Sequence, residues 1–355
     1  MDLTTGPFRY IRRPLEANIR PGDRVLVLSD SRHDARVWQA VLTILADLGA
    51  DATLALFEPR PADYYDPPAI VCEAMKHSDF NILLASTGML HSHANLAAME
   101  AGVPAICMDG GMTLEMFQSG AVTEDLAEMS EICHFVAANV FGAGAKMCRV
   151  TSQFGTDLSY DVTGRIFVPP LKPRVFDHYK VFREIDEGRE SAKLYYYLFP
   201  TGEFTVAPVE YKANGRLVFD LTMHHLGRLR DPIELTIVEG RITEITGSSE
   251  ARRLRDHLAE YGDENAYVCP AEASVGINRK ALIRGVQRED KNIFGCMHFG
   301  LGTNVDVGGN VLSRIHMDGV ILEPTLYVDG ERRIEDGRFL VPVFGPTTHE
   351  ASRST

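Results

Sequence analysis

The stretch Met297–Asp318, MHFGLGTNVDVGGNVLSRIHMD, decides how the second half of the chain reads. It holds His298, a glycine-rich run, and His316 with Asp318 in an H-x-D pair. Residues two apart on a strand share a face, roughly 6.5–7 Å apart along the backbone. His316 and Asp318 can therefore reach a common point, as two ligands of one cation must. The residues that follow, GVILEPTLYVDG, continue as an apolar strand and a turn, so the pair is expected on a buried strand. A hydrogen-bonded His/Asp pair within a sheet is the plainer reading, and the H-x-D spacing taken alone favours it.

Two further segments add carboxylates. Glu203 follows a Pro-Thr-Gly turn in PTGEFTVAP, and Glu272 sits in the apolar stretch PAEASVGIN. Glutamate is rarely buried unless it is paired or coordinates a metal. Carboxylates together with neutral imidazoles suit Zn, Mn, Co or Fe(II) rather than calcium. The five candidate ligands are Glu203, Glu272, His298, His316 and Asp318. They suffice for a two-metal site sharing a bridging carboxylate, a common device for amide and ester hydrolysis. Glu272, as bridge or proton acceptor, is the candidate catalytic residue.

The first half has a different rhythm. Arg24–Ser29, Ala52–Phe57, Phe80–Ala85 and Ala105–Met108 read as strands, separated by helical patterns at Val37–Leu48, Ala69–Lys76 and Ala94–Ala101. This alternation implies a parallel sheet with helices on both faces. There is no G-x-G-x-x-G after the first strand and no G-x-x-x-x-G-K-[ST], so neither a dinucleotide nor a P-loop site is expected. His91 and His93 lie just past the third strand, at the carboxyl end of the sheet where ligands tend to bind. Helix capping or surface exposure is the plainer role for both. Of these, His91 is kept with Asn304 as a candidate substrate contact.

From about Arg149 the pattern becomes antiparallel. Val150–Arg165 reads as a hairpin, and Leu217–Met223, Ile233–Val238 and Arg241–Thr246 read as strands, with Glu239-Gly240 as a tight turn. Ser249–Tyr261 and the charged segment Tyr179–Lys193 read as helices, and Thr347–Thr355 as a polar tail. His224-His225 reads as strand and turn rather than as ligands. The expected organisation is an α/β N-terminal domain with a parallel sheet, residues 1–148, and a mainly-β (α+β) metal-binding catalytic domain, residues 149–355.

A hydrophobic content of 45% over 355 residues is ample for a core and favours two domains. The net charge of −13 argues against nucleic acid or an anionic membrane as partner. No window approaches the roughly 18 apolar residues of a membrane span. The N-terminal residues lack a signal-peptide core, so a cytoplasmic location is expected. The six cysteines show no C-x-x-C spacing and are expected to be reduced and buried.

At GTDLSYDVTGR, PTGEF, AEASVGIN, EDKNIFGCMHFGLGTN and IHMDGVILEPTLYVDG the chain resembles the aminopeptidase T family of metallopeptidases, including its shorter members labelled leucyl aminopeptidase. The resemblance extends over most of the chain. It implies an α/β domain followed by a mainly-β metal-holding domain, a dimer, and metal ligation by Glu203, Glu272, His298, His316 and Asp318. It implies hydrolysis of an amide or peptide bond by metal-activated water, with Zn, Co or Mn as the ion and a small molecule or short peptide as substrate. The sequence departs from longer members at Ile293, where they carry a glutamate, and at Val305, where they carry a catalytic tyrosine. Glu289 is a candidate replacement for the missing carboxylate at a different spacing.

The same fold also looks like 2,5-dihydroxypyridine 5,6-dioxygenase, a ring-cleaving Fe(II) enzyme, through TNVDVGG at Thr303–Gly309, LHS at Leu90–Ser92 and the overall length. That resemblance implies an iron held by two histidines and a carboxylate. His316 and Asp318 match, Glu272 stands where the other histidine would be, and the positions of Glu203 and His298 are apolar there. The hydrolase is the leading expectation, the dioxygenase the alternative, and a non-catalytic metal- or ligand-binding relative the third.

Overall fold

A computed structural model describes residues 6, 8–142, 144–165, 180–182, 192–194 and 196–341. The chain divides into two compact units, Met1–Leu126 with Leu171–Thr201, and Ala127–Pro170 with Gly202–Thr355.

The first unit is α/β. Its sheet runs in the order β2-β1-β3-β4-β5, with β1 Arg24–Asp30, β2 Asp51–Phe57, β3 Phe80–Leu83, β4 Ala105–Cys107 and β5 Tyr196–Leu198, all neighbours parallel. The continuous apolar run of β1 is buried on both faces, as a central strand under helices requires. The helix Ala35–Asp47 buries Val37, Ala40, Val41, Ile44 and Leu45, which recur at helical spacing. Asp34 caps it, its carboxylate accepting from Arg36 N–H, and Gly49 at φ +78° turns the chain out. An additional helix, Arg9–Asn18, precedes β1.

The fifth strand separates this division from a single cut at residue 148. Tyr196–Leu198 pairs with β4, so a late segment belongs with the first unit's sheet. Strand pairing is nonlocal, and the run of tyrosines carries no local mark of its partner. The helix expected over Tyr179–Lys193 is not what the described part shows. Lys180–Phe182 and Ala192–Leu194 are strands paired antiparallel, and residues 179 and 183–191 lie outside the described residues. The polar tail expected at Thr347–Thr355 also lies outside them.

The second unit is β-rich. One sheet runs β6-β9-β10-β11-β7-β8, with β6 Glu203–Val206, β7 Thr222–Met223, β8 Gly227–Arg228, β9 Glu272–Gly276, β10 Met297–Gly302 and β11 His316–Ile321. An eight-stranded sheet contains the Met147–Thr151/Asp157–Asp161 hairpin and the strands Asn214–Phe219, Ile233–Val238 and Arg241–Gly247. Ser249–Tyr261 is helical.

Register assigns the two faces of the first of these sheets. One face carries Phe204, Val275, Met297, Phe299, Leu301 and Met317, all buried. This apolar face meets aromatic side chains: Phe299 lies edge-on to Tyr160 at 5.9 Å, and Phe204 stacks on Phe141 at 5.1 Å. Gly319 also lies on it, where an added Cβ would strike the Phe219 ring. The opposite face carries the polar residues. Among the described residues no helix is long and apolar enough to cross a membrane.

Candidate metal centre

Strand register gathers the polar face. Glu272 pairs with Gly300 and Gly300 with Asp318, so these three share one level across β9, β10 and β11. Ser274 pairs with His298 one level away, and Gly302 pairs with His316 on the other side. On β6, Glu203 faces Gly276 and Thr205 faces Ser274. The two-residue side-chain period of a strand thus puts all five expected ligands on one face. Gly300 leaves the room between them. A Cβ there would lie 2.9 Å from His316 Cε1, 3.0 Å from Glu272 Cβ and 3.2 Å from Asp318 Oδ1.

The donors form two groups that share Glu272: Glu203, Glu272 and His298, and Glu272, His316 and Asp318, the ligand atoms of each lying within 4.8 Å of one another. His298, His316, Glu272 and Asp318 are buried, and Glu203 is partly exposed. His316 Nε2 is 2.9 Å from Asp318 Oδ1 and 3.3 Å from Glu272 Oε2. His298 Nε2 is 2.9 Å from Glu272 Oε1 and 3.7 Å from Glu203 Oε2.

The protein holds the other polar atom of each member of the second group. His316 Nδ1 is 2.7 Å from the Thr303 carbonyl, which can only accept, so the proton is on Nδ1 and Nε2 faces the carboxylates. Glu272 Oε1 accepts from Ser274 Oγ at 2.7 Å and from His298 Nε2–H. Asp318 Oδ2 accepts from the Gln287 amide and lies 3.4 Å from Lys291 Nζ. Thr205 Oγ1 braces Ser274 Oγ at 2.7 Å. Asp318 Oδ1, in contrast, is buried without a hydrogen-bond donor, because its contact with His316 Nε2 lacks hydrogen-bond alignment. Glu203 Oε2 lies 2.9 Å from Lys291 Nζ, as an ion pair without hydrogen-bond geometry.

Electrostatics at this face favour positive charge. Burial pushes the His316 imidazolium down, but the carboxylates of Asp318 and Glu272 outweigh it and raise its pKa well above the usual range. Burial likewise raises Asp318, and the charges of Lys291 and His316 overcome it, leaving the acid strongly ionised. A buried carboxylate oxygen without a hydrogen-bond partner, opposite an imidazole whose Nε2 is aimed at the carboxylates, fits a divalent cation that would displace the Nε2 proton.

Several of these groups escaped the sequence reading. Ser274 was open to it, standing two residues from Glu272 on the same strand. Lys291 and Gln287 belong to QREDKN, six consecutive polar residues that are all buried, which composition alone does not reveal. His224 N–H donates to the Asp318 carbonyl at 2.9 Å, so His224 lies opposite Asp318 in register.

The two expected substrate contacts, Asn304 and His91, each have defined neighbours. Asn304 ties its own loop to Glu210: Oδ1 accepts from Val311 N–H at 2.8 Å and Nδ2 donates to Glu210 at 3.1 Å. His91 lies in the first unit, buried, its ring edge-on to Tyr64 at 4.6 Å. His93 begins a helix on the surface of that unit. Glu289, the candidate replacement carboxylate, is buried and pairs with Arg284 at 2.6 Å.

Comparison with known proteins bears on this geometry. The 2,5-dihydroxypyridine 5,6-dioxygenase (NicX) family profile matches residues 10–341. The 2,5-dihydroxypyridine 5,6-dioxygenase of Pseudomonas putida is 28% identical over 156 residues, which are 41% of this chain and 44% of that enzyme, so the alignment spans less than half of the relative's length. The structure of 2,5-dihydroxypyridine dioxygenase from Pseudomonas putida matches with a TM-score of 0.68 at 19% identity, over 94% of this chain and 97% of that one. Wild-type AmpT from Thermus thermophilus matches with a TM-score of 0.59 at 16% identity, over 94% and 98%. At such identities both structures speak for a shared fold, and the aminopeptidase T resemblance stands at that level. The match over residues 10–341 goes further: the chain belongs to the 2,5-dihydroxypyridine 5,6-dioxygenase family.

Proposed function

We propose that this protein is a metal-dependent dioxygenase that opens a hydroxylated N-heterocyclic or aromatic ring, with Glu272, His316 and Asp318 holding one Fe(II). The observation that carries the reading is the asymmetry of the three side chains. Each has one atom fixed by the protein, at Ser274 and His298, at Thr303, and at Gln287 and Lys291, and one atom facing the other two. That is the way ligands of a single ion are oriented from outside. The family assignment supports dioxygenation as the reaction class.

Held by Glu272, His316 and Asp318, Fe(II) would supply the electrons for activating dioxygen, in a one-histidine, two-carboxylate variant of the usual two-histidine, one-carboxylate set. The chain's own residues do the rest. Gly300 keeps the space between the ligands clear. Thr303 holds Nδ1 of His316 as a donor, so Nε2 is the nitrogen that would meet a cation on giving up its proton. Ser274 and His298 hold the Glu272 carboxylate in one orientation. Under this reading Glu203 and His298 support the centre instead of ligating, which narrows the five-ligand expectation to three.

The test is oxygen uptake by protein loaded anaerobically with Fe(II), followed together with loss of the aromatic absorbance of 2,5-dihydroxypyridine. One dioxygen consumed per ring supports the reading. No uptake with this or other dihydroxylated rings counts against it.

A second reading, a two-metal hydrolase of amide or peptide bonds, is favoured by one observation: Glu203, Glu272 and His298 form a second donor group with Glu272 shared. There Glu272 would bridge the ions and a bound water would be the nucleophile. Release of nitroaniline from leucyl p-nitroanilide by Zn-, Mn- or Co-loaded protein would move the assignment to it.

A further inference from the structure

We infer that the Lys291 ammonium stands in for a second divalent cation, so that the centre binds one metal ion. This rests on the single-ion reading above and names the residue that enforces it.

Lys291 Nζ lies 2.9 Å from Glu203 Oε2. The same oxygen is 3.7 Å from His298 Nε2, so an ion shared by Glu203, Glu272 and His298 would draw on the atom the ammonium already contacts. Nζ also lies 3.4 Å from Asp318 Oδ2. The lysine therefore reaches one carboxylate from each donor group. It is 7% exposed, so little water screens it from a neighbouring cation. An ammonium and a divalent ion against one carboxylate oxygen repel strongly in such surroundings.

The position is built. Lys291 follows the short helix Gln287–Asp290. The Asp290 carboxylate accepts from Arg284 N–H at 2.7 Å, from Gly285 N–H at 2.9 Å and from Thr222 Oγ1 at 2.5 Å. These bonds fix the backbone from which Lys291 extends. His298 agrees with this division, since its Nε2–H is donated to Glu272 Oε1 at 2.9 Å.

The test uses the full-length protein, Mn(II) as probe, and metal content per chain with electron paramagnetic resonance as readouts. The wild type is expected to bind one Mn(II), with the spectrum of an isolated ion. Lys291→Met is expected to bind two, exchange-coupled, the added ion lying among Glu203, Glu272 and His298 by anomalous scattering. One ion in Lys291→Met would overturn the role of Lys291 and leave the single-ion reading standing. Two ions in the wild type would overturn both. Should Lys291→Met prove insoluble, Glu203→Gln decides: one retained ion agrees with Glu203 as the ammonium's partner, and loss of the ion makes Glu203 a ligand and overturns the inference.

Discussion

The Thr303 carbonyl accepts the Nδ1 proton of His316 at 2.7 Å, and this one bond determines which imidazole nitrogen faces Asp318 and Glu272. The acceptor is a main-chain atom, so no side-chain change can remove it. The orientation is written into the backbone path between β10 and β11.

His316→Ala removes the imidazole from that arrangement. The variant is expected to lose retained metal while keeping its fold, because β11 stays paired to β10 through main-chain bonds. Metal analysis after gel filtration, with circular dichroism on the same sample, checks both halves. Full occupancy in the variant would remove His316 from the centre.

Ser274→Ala tests the outer ring of contacts. The hydroxyl donates to Glu272 Oε1 and also meets Thr205 Oγ1. Losing an outer partner of a ligand typically weakens metal binding by about 10–100-fold. Titration with Mn(II) should show a drop in that range, and an unchanged affinity would mean Glu272 is oriented by other groups.

Gly300→Ala places a methyl group between the ligands. The contacts of 2.9–3.2 Å with His316, Glu272 and Asp318 are too short to accept without movement. Overpacking of this kind costs about 1–3 kcal/mol. Thermal unfolding should fall accordingly, and metal affinity should fall with it. A variant with normal stability and normal metal content would show that the donors do not converge around Gly300.

These predictions draw on features of unequal visibility in the sequence. The α/β rhythm of the first unit was legible because its strands are short apolar runs between helical periods, and β1 is such a run. Glu272 was legible because a carboxylate in AEASVG is out of place unless it has a function. Lys291 was not, because six consecutive polar residues look solvated, and only the fold reveals that QREDKN is buried. The fifth parallel strand was not, because which strand Tyr196–Leu198 joins depends on contacts far along the chain. The close packing of Gly309 on Asn304, where an added Cβ would collide with the amide, was not legible either, because it depends on how the loop folds back on itself.

Asp220 gives a prediction about pH that is independent of metal. Burial raises its pKa from 3.8 to about 6, against the hydrogen bond from Leu322 N–H to Oδ1 at 2.9 Å. The folded carboxyl therefore holds its proton more tightly than the unfolded one. Its neutral form is tolerated equally below the unfolded pKa, and stability is lost as pH rises from about 4 through about 6. The loss is bounded by roughly 3 kcal/mol, from 1.36 kcal/mol for each unit of pKa difference. Asp220→Asn keeps an acceptor for Leu322 N–H and carries no charge. It should flatten the fall in unfolding free energy across this interval and be the more stable protein at pH 7. Urea titrations of both proteins at pH 4 and pH 7 measure this, and parallel losses in the two would place the pH dependence in other residues.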